Sequence, residues 1–319
     1  MKPTKNLLVI LRCPNCGDKA TSLEAKDNHL ICQVCNSVFP IVASRPVMLR
    51  RDNAVFQLDA YREPVEKKLK GIGGWVAHWI PYPTVNLSRT RVLERLKTLL
   101  AVNKPARVLV VGSGRQRSQM DMALGAGDGV QVICSDIDTD ADVDLFCDGH
   151  DLPFIDGSFD AVVTTVVLEH VLYPERVAAE IHRVLKLGGF LYSEMPFMQQ
   201  VHEGAYDFTR YSLSGHRRLF NGFSELESGM VAGPATTLVW SIENFVLAFV
   251  SRPKLRLVVK ALVRLVFAWL KHIDRFLEKR PEAMDGASCT YFLGAKMNGR
   301  VADDEIIARY VGAKHLSHV

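Results

Sequence analysis

Long apolar runs are missing from this sequence. Nowhere do about 18 uncharged apolar residues follow one another, the length at which a spanning helix becomes a candidate, so a conventional transmembrane helix is not expected. The N-terminal LLVIL run is five residues, too short for a signal-peptide core, and no A-x-A-like cleavage site follows it; a cytoplasmic location is expected. A uniform charge is missing too. The net charge is +4, yet residues 251–280 hold nine Lys/Arg against two Asp/Glu and residues 1–51 hold eight against three, which leaves −8 for the remainder. That division argues against a simple nucleic-acid binder without excluding an RNA partner. What is present, 48% hydrophobic and 23% charged residues, suits one large α/β domain plus a smaller unit.

The seven cysteines divide four and three. Cys13, Cys16, Cys32 and Cys35 form C-x2-C-x15-C-x2-C, while Cys134, Cys147 and Cys289 lie in apolar surroundings and read as core residues. Paired C-x2-C hooks without a secretory signal favour zinc over a disulfide pair or unligated thiols. Four thiolates would staple some 50 residues that lack a core of their own, and they leave no open position for catalytic water, so Zn2+ here is expected to be structural. After the second hook comes SVFPIVASRPVMLRRD. Residues 7–52 resemble the small zinc-ribbon proteins that activate tRNA, rRNA and protein methyltransferases. The shared positions are Phe39, Pro40, Ile41, Pro46, Val47, Met48 and Leu49.

Residues 53–104 read as a connector. Its glycine- and aromatic-rich part, GIGGWVAHWIPYP (71–83), is expected to be irregular, either a lid or a surface plug. Apolar residues at 92, 93, 96, 99 and 100 then predict an amphipathic helix, with Ser88 as N-cap. From residue 105, RVLVVGSG, VQVICSDID, DLFCDG, FDAVVTTVVLEHV and GFLYSEMPF read as strands, with helices at 116–126 and 174–186 between them. Such interleaving predicts a doubly wound, Rossmann-like parallel sheet.

Gly112 and Gly114 follow the first of these strands, where glycine permits close backbone approach to a ligand. The third glycine of a dinucleotide fingerprint would fall at 117, which is arginine; that argues against a pyrophosphate and hence against NAD or FAD. Asp136 ends the second strand, placed to accept bonds from ribose hydroxyls. A nucleoside without a pyrophosphate describes S-adenosylmethionine.

Residues 105–197 resemble the class I S-adenosylmethionine-dependent methyltransferases of the type-11 group through VLVVGSG, ICSDID, DGHDLPFIDGSFDAVVTTVVLEHV and EIHRVLKLGGFLY. The resemblance implies that Gly112, Ser113 and Gly114 flank the methionine moiety and that Asp136 and Ile137 hold the ribose. It also implies that Asp148 and Gly149 meet the adenine edge, with Leu152-Pro153-Phe154 shielding one ring face and Gly188-Gly189 capping the helix before the fifth strand. The acid usual near position 110 is valine here, and Arg115 and Arg117 crowd the glycine loop. Glu169 and His170 end the fourth strand at the edge where α/β ligands sit; they read either as base and substrate contact or as caps of the next loop.

QVHEGAYDFTRYS resembles a segment, H-x-x-P-x-D-F-x-R-Y-[ST], of methyltransferases in glycan and lipid biosynthesis. It matches at His202, Asp207, Phe208, Arg210, Tyr211 and Ser212, with Ala205 in place of proline. His202, Asp207, Arg210 and Tyr211 would suit orientation of a polar acceptor and removal of its proton. The competing reading is an Asp207–Arg210 ion pair that fixes the loop, with Ser212 or Ser214 capping the next helix. No N-P-P-Y-like tetrapeptide follows the fourth strand, which disfavours methylation of base amino groups.

Residues 235–285 interrupt this domain before its last strand, ASCTYFLGAK. Arg256, Lys260, Arg264, Lys271 and Arg275 share one helical face opposite Leu, Val, Phe and Trp269. That pattern suits an anionic membrane surface through 254–275, or packing on the chain's own domain or a dimer partner. The divisions expected are a ribbon (1–52), connector (53–104), methyltransferase domain (105–234), helical insertion (235–285) and returning strand with tail (286–319). Three functions compete: a methyltransferase for a small or lipid-linked acceptor, possible at the inner membrane face; an RNA methyltransferase; and a non-catalytic partner of another methyltransferase.

Overall fold

The computed structural model describes residues 5–17, 23–61, 80–102 and 104–313; most of the 71–83 segment lies outside them. Eleven strands form one sheet in the order β1-β2-β3-β4-β7-β6-β5-β8-β9-β11-β10. Its centre is β5 (Ala106–Val111), flanked by β6 (Val130–Asp136) and β8 (Phe159–Thr165), then β7 (Leu145–Cys147) and β9 (Leu185–Pro196). All four neighbouring pairs in this block are parallel. The middles of these strands are mostly apolar because both faces are covered. Strand β11 (Cys289–Lys296) enters antiparallel between β9 and β10 (Phe223–Ala232). This is the doubly wound α/β architecture expected from the alternating pattern.

The four N-terminal strands are β1 (Leu23–Lys26), β2 (His29–Cys32), β3 (Val38–Val42) and β4 (Arg45–Met48). They are a continuation of the main sheet, since β4 pairs in parallel with β7. Leu11 bridges Phe154, Arg12 N–H donates to the Pro153 carbonyl at 3.0 Å, and Ile155 N–H donates to Ile10 at 2.9 Å. Leu7, Leu11, Leu30 and Phe39 share one buried cluster with Leu109, Leu145 and Phe159. The Leu152-Pro153-Phe154 turn therefore grips the ribbon: Leu152 and Phe154 are buried in that cluster, and neither reaches the cleft where a base would need shielding.

Two helix-end expectations are corrected and one is met. Helix α1 (Arg89–Ala101) is not capped by Ser88, whose hydroxyl donates to the Met230 carbonyl at 3.1 Å; Asn86 Oδ1 accepts the Arg89 N–H instead. Between β5 and β6 lies α2 (Arg117–Leu124). Helix α3 (Pro174–Val184) closes at Leu185, and Gly188 and Gly189 lie within β9. A Cβ at Gly189 would stand 2.9 Å from the Lys186 carbonyl oxygen, so a packed strand, not a cap, demands glycine there. Helix α4 (Leu213–Leu219) is capped by Ser212, whose Oγ accepts from Gly215 N–H at 3.2 Å.

The insertion folds as α5 (Pro234–Leu247) packed on α6 (Pro253–Phe267), which continues through short turns to Gly286. Of its basic face, Arg264 and in part Lys260 and Lys271 turn toward the chain's own domain, while Arg256 and Arg275 stay exposed. Arg264 is buried and bonds Glu243 through two nitrogens at 2.6 and 3.1 Å, with Lys260 3.6 Å from the same carboxylate. Arg256 donates to the Leu247 and Val250 carbonyls, and Lys271 to the Tyr82 carbonyl. A buried Glu243 leaves these cations little choice, because an unpaired interior carboxylate is far costlier than a buried pair. The apolar face is consequently turned out. Leu255, Val258, Leu262, Leu265 and Val266 are each about half exposed or more, and Trp269 continues the stripe. Among the described residues no helix is long and apolar enough to cross a membrane.

Candidate active site

A cavity of about 1360 Å3 opens at the carboxyl ends of β5, β6, β8 and β9, where ligands of open α/β sheets sit. Gly112, Ser113, Gly114, Asp136, Ile137, Asp148 and Gly149 all line it, as do His170 and His202. Its volume exceeds the upper range of pockets built for a single drug-sized molecule, about 1000 Å3, so two ligands can share it.

The end of the cavity at β5 and β6, where the sequence leads one to expect a nucleoside, is built from satisfied acceptors. Gly112 and Gly114 both adopt left-handed φ, +70° and +52°, which an L side chain resists. At Gly112 a Cβ would meet Val167 Cγ2 at 2.4 Å; at Gly114 it would find no protein atom within 4 Å, so the backbone stands bare toward the cleft. Asp136 Oδ2 accepts the Gly114 N–H at 2.6 Å, and Oδ1 accepts those of Ile137 and Asp138 at 2.7 and 2.9 Å. A carboxylate offers about four acceptor sites, so one remains for a hydroxyl in the cleft. These residues fit the ribose and thioether side of S-adenosylmethionine. Arg115 and Arg117 do not crowd the loop: Arg115 is drawn to Asp140 at 2.5 Å and Arg117 to Asp144 at 3.0 Å.

Asp148 accepts from the His150 backbone and ring at 3.0 and 2.6 Å, and from Asn53 Nδ2 at 2.8 Å. Burial alone would raise its pKa; these bonds outweigh burial and hold the carboxyl below its ordinary value. Asn53 was invisible as a site residue from sequence. It belongs to the segment leaving the ribbon, which also sends the Tyr61 hydroxyl to the Ile137 carbonyl and packs that ring, tilted, against Phe146 at 5.2 Å. The wall over the nucleoside end is thus ribbon-derived.

The acceptor end begins where β8 stops. Val166 has φ +58°, an unusual conformation for a β-branched residue, and a short turn over Leu168–His170 follows. Glu169 is fully buried and neither carboxylate oxygen has a hydrogen-bond partner. Burial pushes its pKa up to about 8, against smaller downward pulls from backbone and Arg210. His170 Nε2 lies 3.5 Å and His202 Nε2 3.9 Å from Glu169 Oε1, with the two rings edge to face at 4.8 Å. Burial lowers the His170 pKa.

The other predicted catalytic groups stand behind this trio. Asp207, almost wholly buried, binds Arg210 through both oxygens and accepts the His202 N–H at 2.9 Å. Arg210 spends its remaining donors on the Gln199, Gln200 and Thr209 carbonyls. Tyr211 donates to Glu175 at 3.1 Å. None of these three lines the cavity; Asp207 and Arg210 fix the loop that carries His202. A second missed feature is Arg89, paired with buried Glu194, which also accepts from Tyr192 at 2.5 Å. An acid inside the apolar strand SEMPF was its only sequence signal.

At the ribbon, Cys13 and Cys35 sulfurs lie 3.6 Å apart and those of Cys16 and Cys32 3.7 Å apart. A disulfide needs about 2.05 Å. Four thiolates about 2.3 Å from zinc at tetrahedral corners lie about 3.8 Å apart, so the four cysteines fit Zn2+.

Residues 109–193 match the family model described as a methyltransferase domain. No curated protein sequence matches the chain at a significant level. Solved structures with a similar fold include a candidate sarcosine dimethylglycine methyltransferase from Galdieria sulphuraria, at 16% identity and TM-score 0.43 over 70% of this chain and 96% of that one. The [4+2]-cyclase SpnF aligns at 15% and 0.42 over 69% and 86%. The complex between the Haloferax volcanii Trm112 methyltransferase activator and its methyltransferase aligns at 19% and 0.40 over 67% and 96%. These likenesses describe a fold and say nothing of a substrate. The family match supports an S-adenosylmethionine-dependent methyltransferase domain in residues 109–193.

Proposed function

We propose that the chain is an S-adenosylmethionine-dependent methyltransferase that takes a small or lipid-linked acceptor at a membrane surface. When bound, S-adenosylmethionine supplies an electrophilic methyl group on a sulfonium. Catalysis of such a transfer is largely positioning, and the residues divide that work. Gly112, Gly114 and Asp136 hold the donor end, Asn53 and Asp148 close it, and His170 and His202 receive the polar group of the acceptor.

The observation that carries the lipid part is the apolar face of α6. Helix α5 is also tied to the segments beside the cavity: Gln200 Nε2 donates to Ser241 at 2.9 Å, Trp240 Nε1 donates to Thr84, and Thr84 lines the cavity. Exposed Phe249 and Phe276 extend the apolar face, and exposed Arg252, Lys254, Arg275, Lys279 and Arg280 flank it. An apolar face bordered by cations suits the boundary of an anionic bilayer.

Two measurements test the reading. Calorimetry on the zinc-loaded chain with S-adenosylhomocysteine should show one binding event; none would leave the non-catalytic partner standing. Vesicles of phosphatidylglycerol should co-sediment the wild type but not Leu262→Glu/Leu265→Glu, with S-adenosylhomocysteine binding unchanged. Wild type that stays in solution would sink the membrane part.

A further inference from the structure

We propose that Glu169, His170 and His202 bind a divalent first-row transition-metal cation at the acceptor end of the cavity, separate from the cysteine site of the ribbon.

One oxygen and two imidazole nitrogens with open positions are a recognised donor set for such ions. Here a ligand atom from each residue lies within 4.8 Å of the others. A cation about 2.1 Å from each ligand needs them about 3.0–3.5 Å apart; the two nitrogen-to-carboxylate separations, 3.5 and 3.9 Å, are close to that, and the two nitrogens lie within 4.8 Å of one another.

The hydrogen bonds behind the ligands point the same way. His170 Nδ1 faces the Tyr206 carbonyl at 2.7 Å, and His202 Nδ1 faces the Gln200 carbonyl at 3.3 Å and Asp207 Oδ2 at 3.4 Å. Acceptors at Nδ1 fix the proton there, as carbonyl and carboxylate partners do for metal-bound histidines. Both Nε2 lone pairs then face one carboxylate oxygen; a proton can relieve one such contact, whereas a metal cation serves all three ligand atoms at once.

That cation is not supplied by the protein. Both Glu169 oxygens lack a partner, an arrangement that costs several kcal/mol in a dry site. The nearest guanidinium, Arg210, is committed to Asp207 and three carbonyls. Asp207 and Arg210 offset one another, so Glu169 has no counter-charge of its own in this site. His170 and His202 face the cavity, so the remaining coordination positions open toward the acceptor and suit an oxygen donor, a hydroxyl or carboxylate. Only this last use of the metal rests on the methyltransferase reading.

The test uses the full chain with its ribbon zinc in place, dialysed against Co2+ and then freed of unbound metal. Metal content should be about two per chain in the wild type, one zinc and one cobalt. The cobalt should show the weak visible bands of nitrogen and oxygen ligands, not the intense charge-transfer bands of thiolates. Glu169→Gln and His170→Gln/His202→Gln should fall to about one metal per chain. Retained S-adenosylhomocysteine binding in these variants shows that they are folded. Wild type that binds no cobalt beyond the ribbon overturns the proposal, whatever the variants do, and so does cobalt retained by the double variant. Cobalt bound by a wild type that ignores S-adenosylhomocysteine would sink the methyltransferase reading and leave the metal site standing.

Discussion

The two ends of the cavity differ in how their carboxylates are treated. Asp136 and Asp148 each accept three hydrogen bonds, whereas Glu169, buried more deeply, accepts none through its side chain. A satisfied carboxylate is held in one orientation; an unsatisfied one waits for something to arrive. The nucleoside end is therefore preorganised for a fixed ligand, and the acceptor end is left chemically open. The same contrast separates the ribbon, whose core merges with that of the main sheet, from the insertion, whose apolar face has no cover among the described residues.

The largest expected break in this comparison is Asp136→Asn. The amide presents one oxygen and one donor where three backbone N–H groups converge, so at least one contact becomes repulsive and the charge is lost. A charged hydrogen bond contributes about 1.5–3 kcal/mol, so S-adenosylhomocysteine affinity should drop roughly 100-fold by calorimetry. A change under about threefold would mean that the ribose is held elsewhere.

A smaller effect should come from a group that shares neither end. His216 is fully buried, lies between Ser193 Oγ at 3.0 Å and Thr290 Oγ1 at 3.2 Å, and packs on Phe220 and Phe292. Burial first, then Arg217, against a smaller opposing pull from Glu225, drives its pKa down to about 3. The unfolded chain takes up this proton below about pH 6.5 while the fold refuses it until about 3. The stability it contributes is complete above pH 6.5 and is lost as pH falls through that window, by about 1.4 kcal/mol per unit. Between pH 7 and 5 the wild type should lose roughly 2 kcal/mol more than His216→Gln, read by denaturant unfolding. Equal losses would show that the imidazole accepts its proton inside the fold.

How much of this was legible follows the range of the interactions. Strands β5 to β9 carry their pattern within a few residues, and the four cysteines carry theirs in spacing alone, so both could be read directly. Strand β10 could not: FSELESGMVA has polar residues where one face meets Arg91, Arg95 and Arg217, partners far off in the chain. The orientation of α6 was misread for the same reason. Arg264 turns inward because of Glu243, a single acid within an apolar helix 21 residues away. Likewise, Leu152-Pro153-Phe154 looked like a wall for a base until its real neighbours, Ile10 to Arg12, were in place. Asp207 and Arg210 look catalytic in sequence because an orienting pair and a reacting pair use the same residue types.

The smallest expected effect tests whether the ribbon merely stabilises the sheet or helps hold the donor. Asn53→Ala removes the Nδ2 bond to Asp148 and the Oδ1 acceptor for the Val55 and Phe56 N–H groups, so the exit segment loosens while the four cysteines stay untouched. Asp148 keeps its two bonds from His150, and the loss is that of one or two hydrogen bonds, about 1 kcal/mol each. Affinity for S-adenosylhomocysteine should fall about five- to tenfold, with zinc content unchanged. An unchanged affinity would confine the ribbon to a structural role; a loss as large as that of Asp136→Asn would make the exit segment an equal part of the binding site, and the nucleoside end would no longer be the work of the sheet alone.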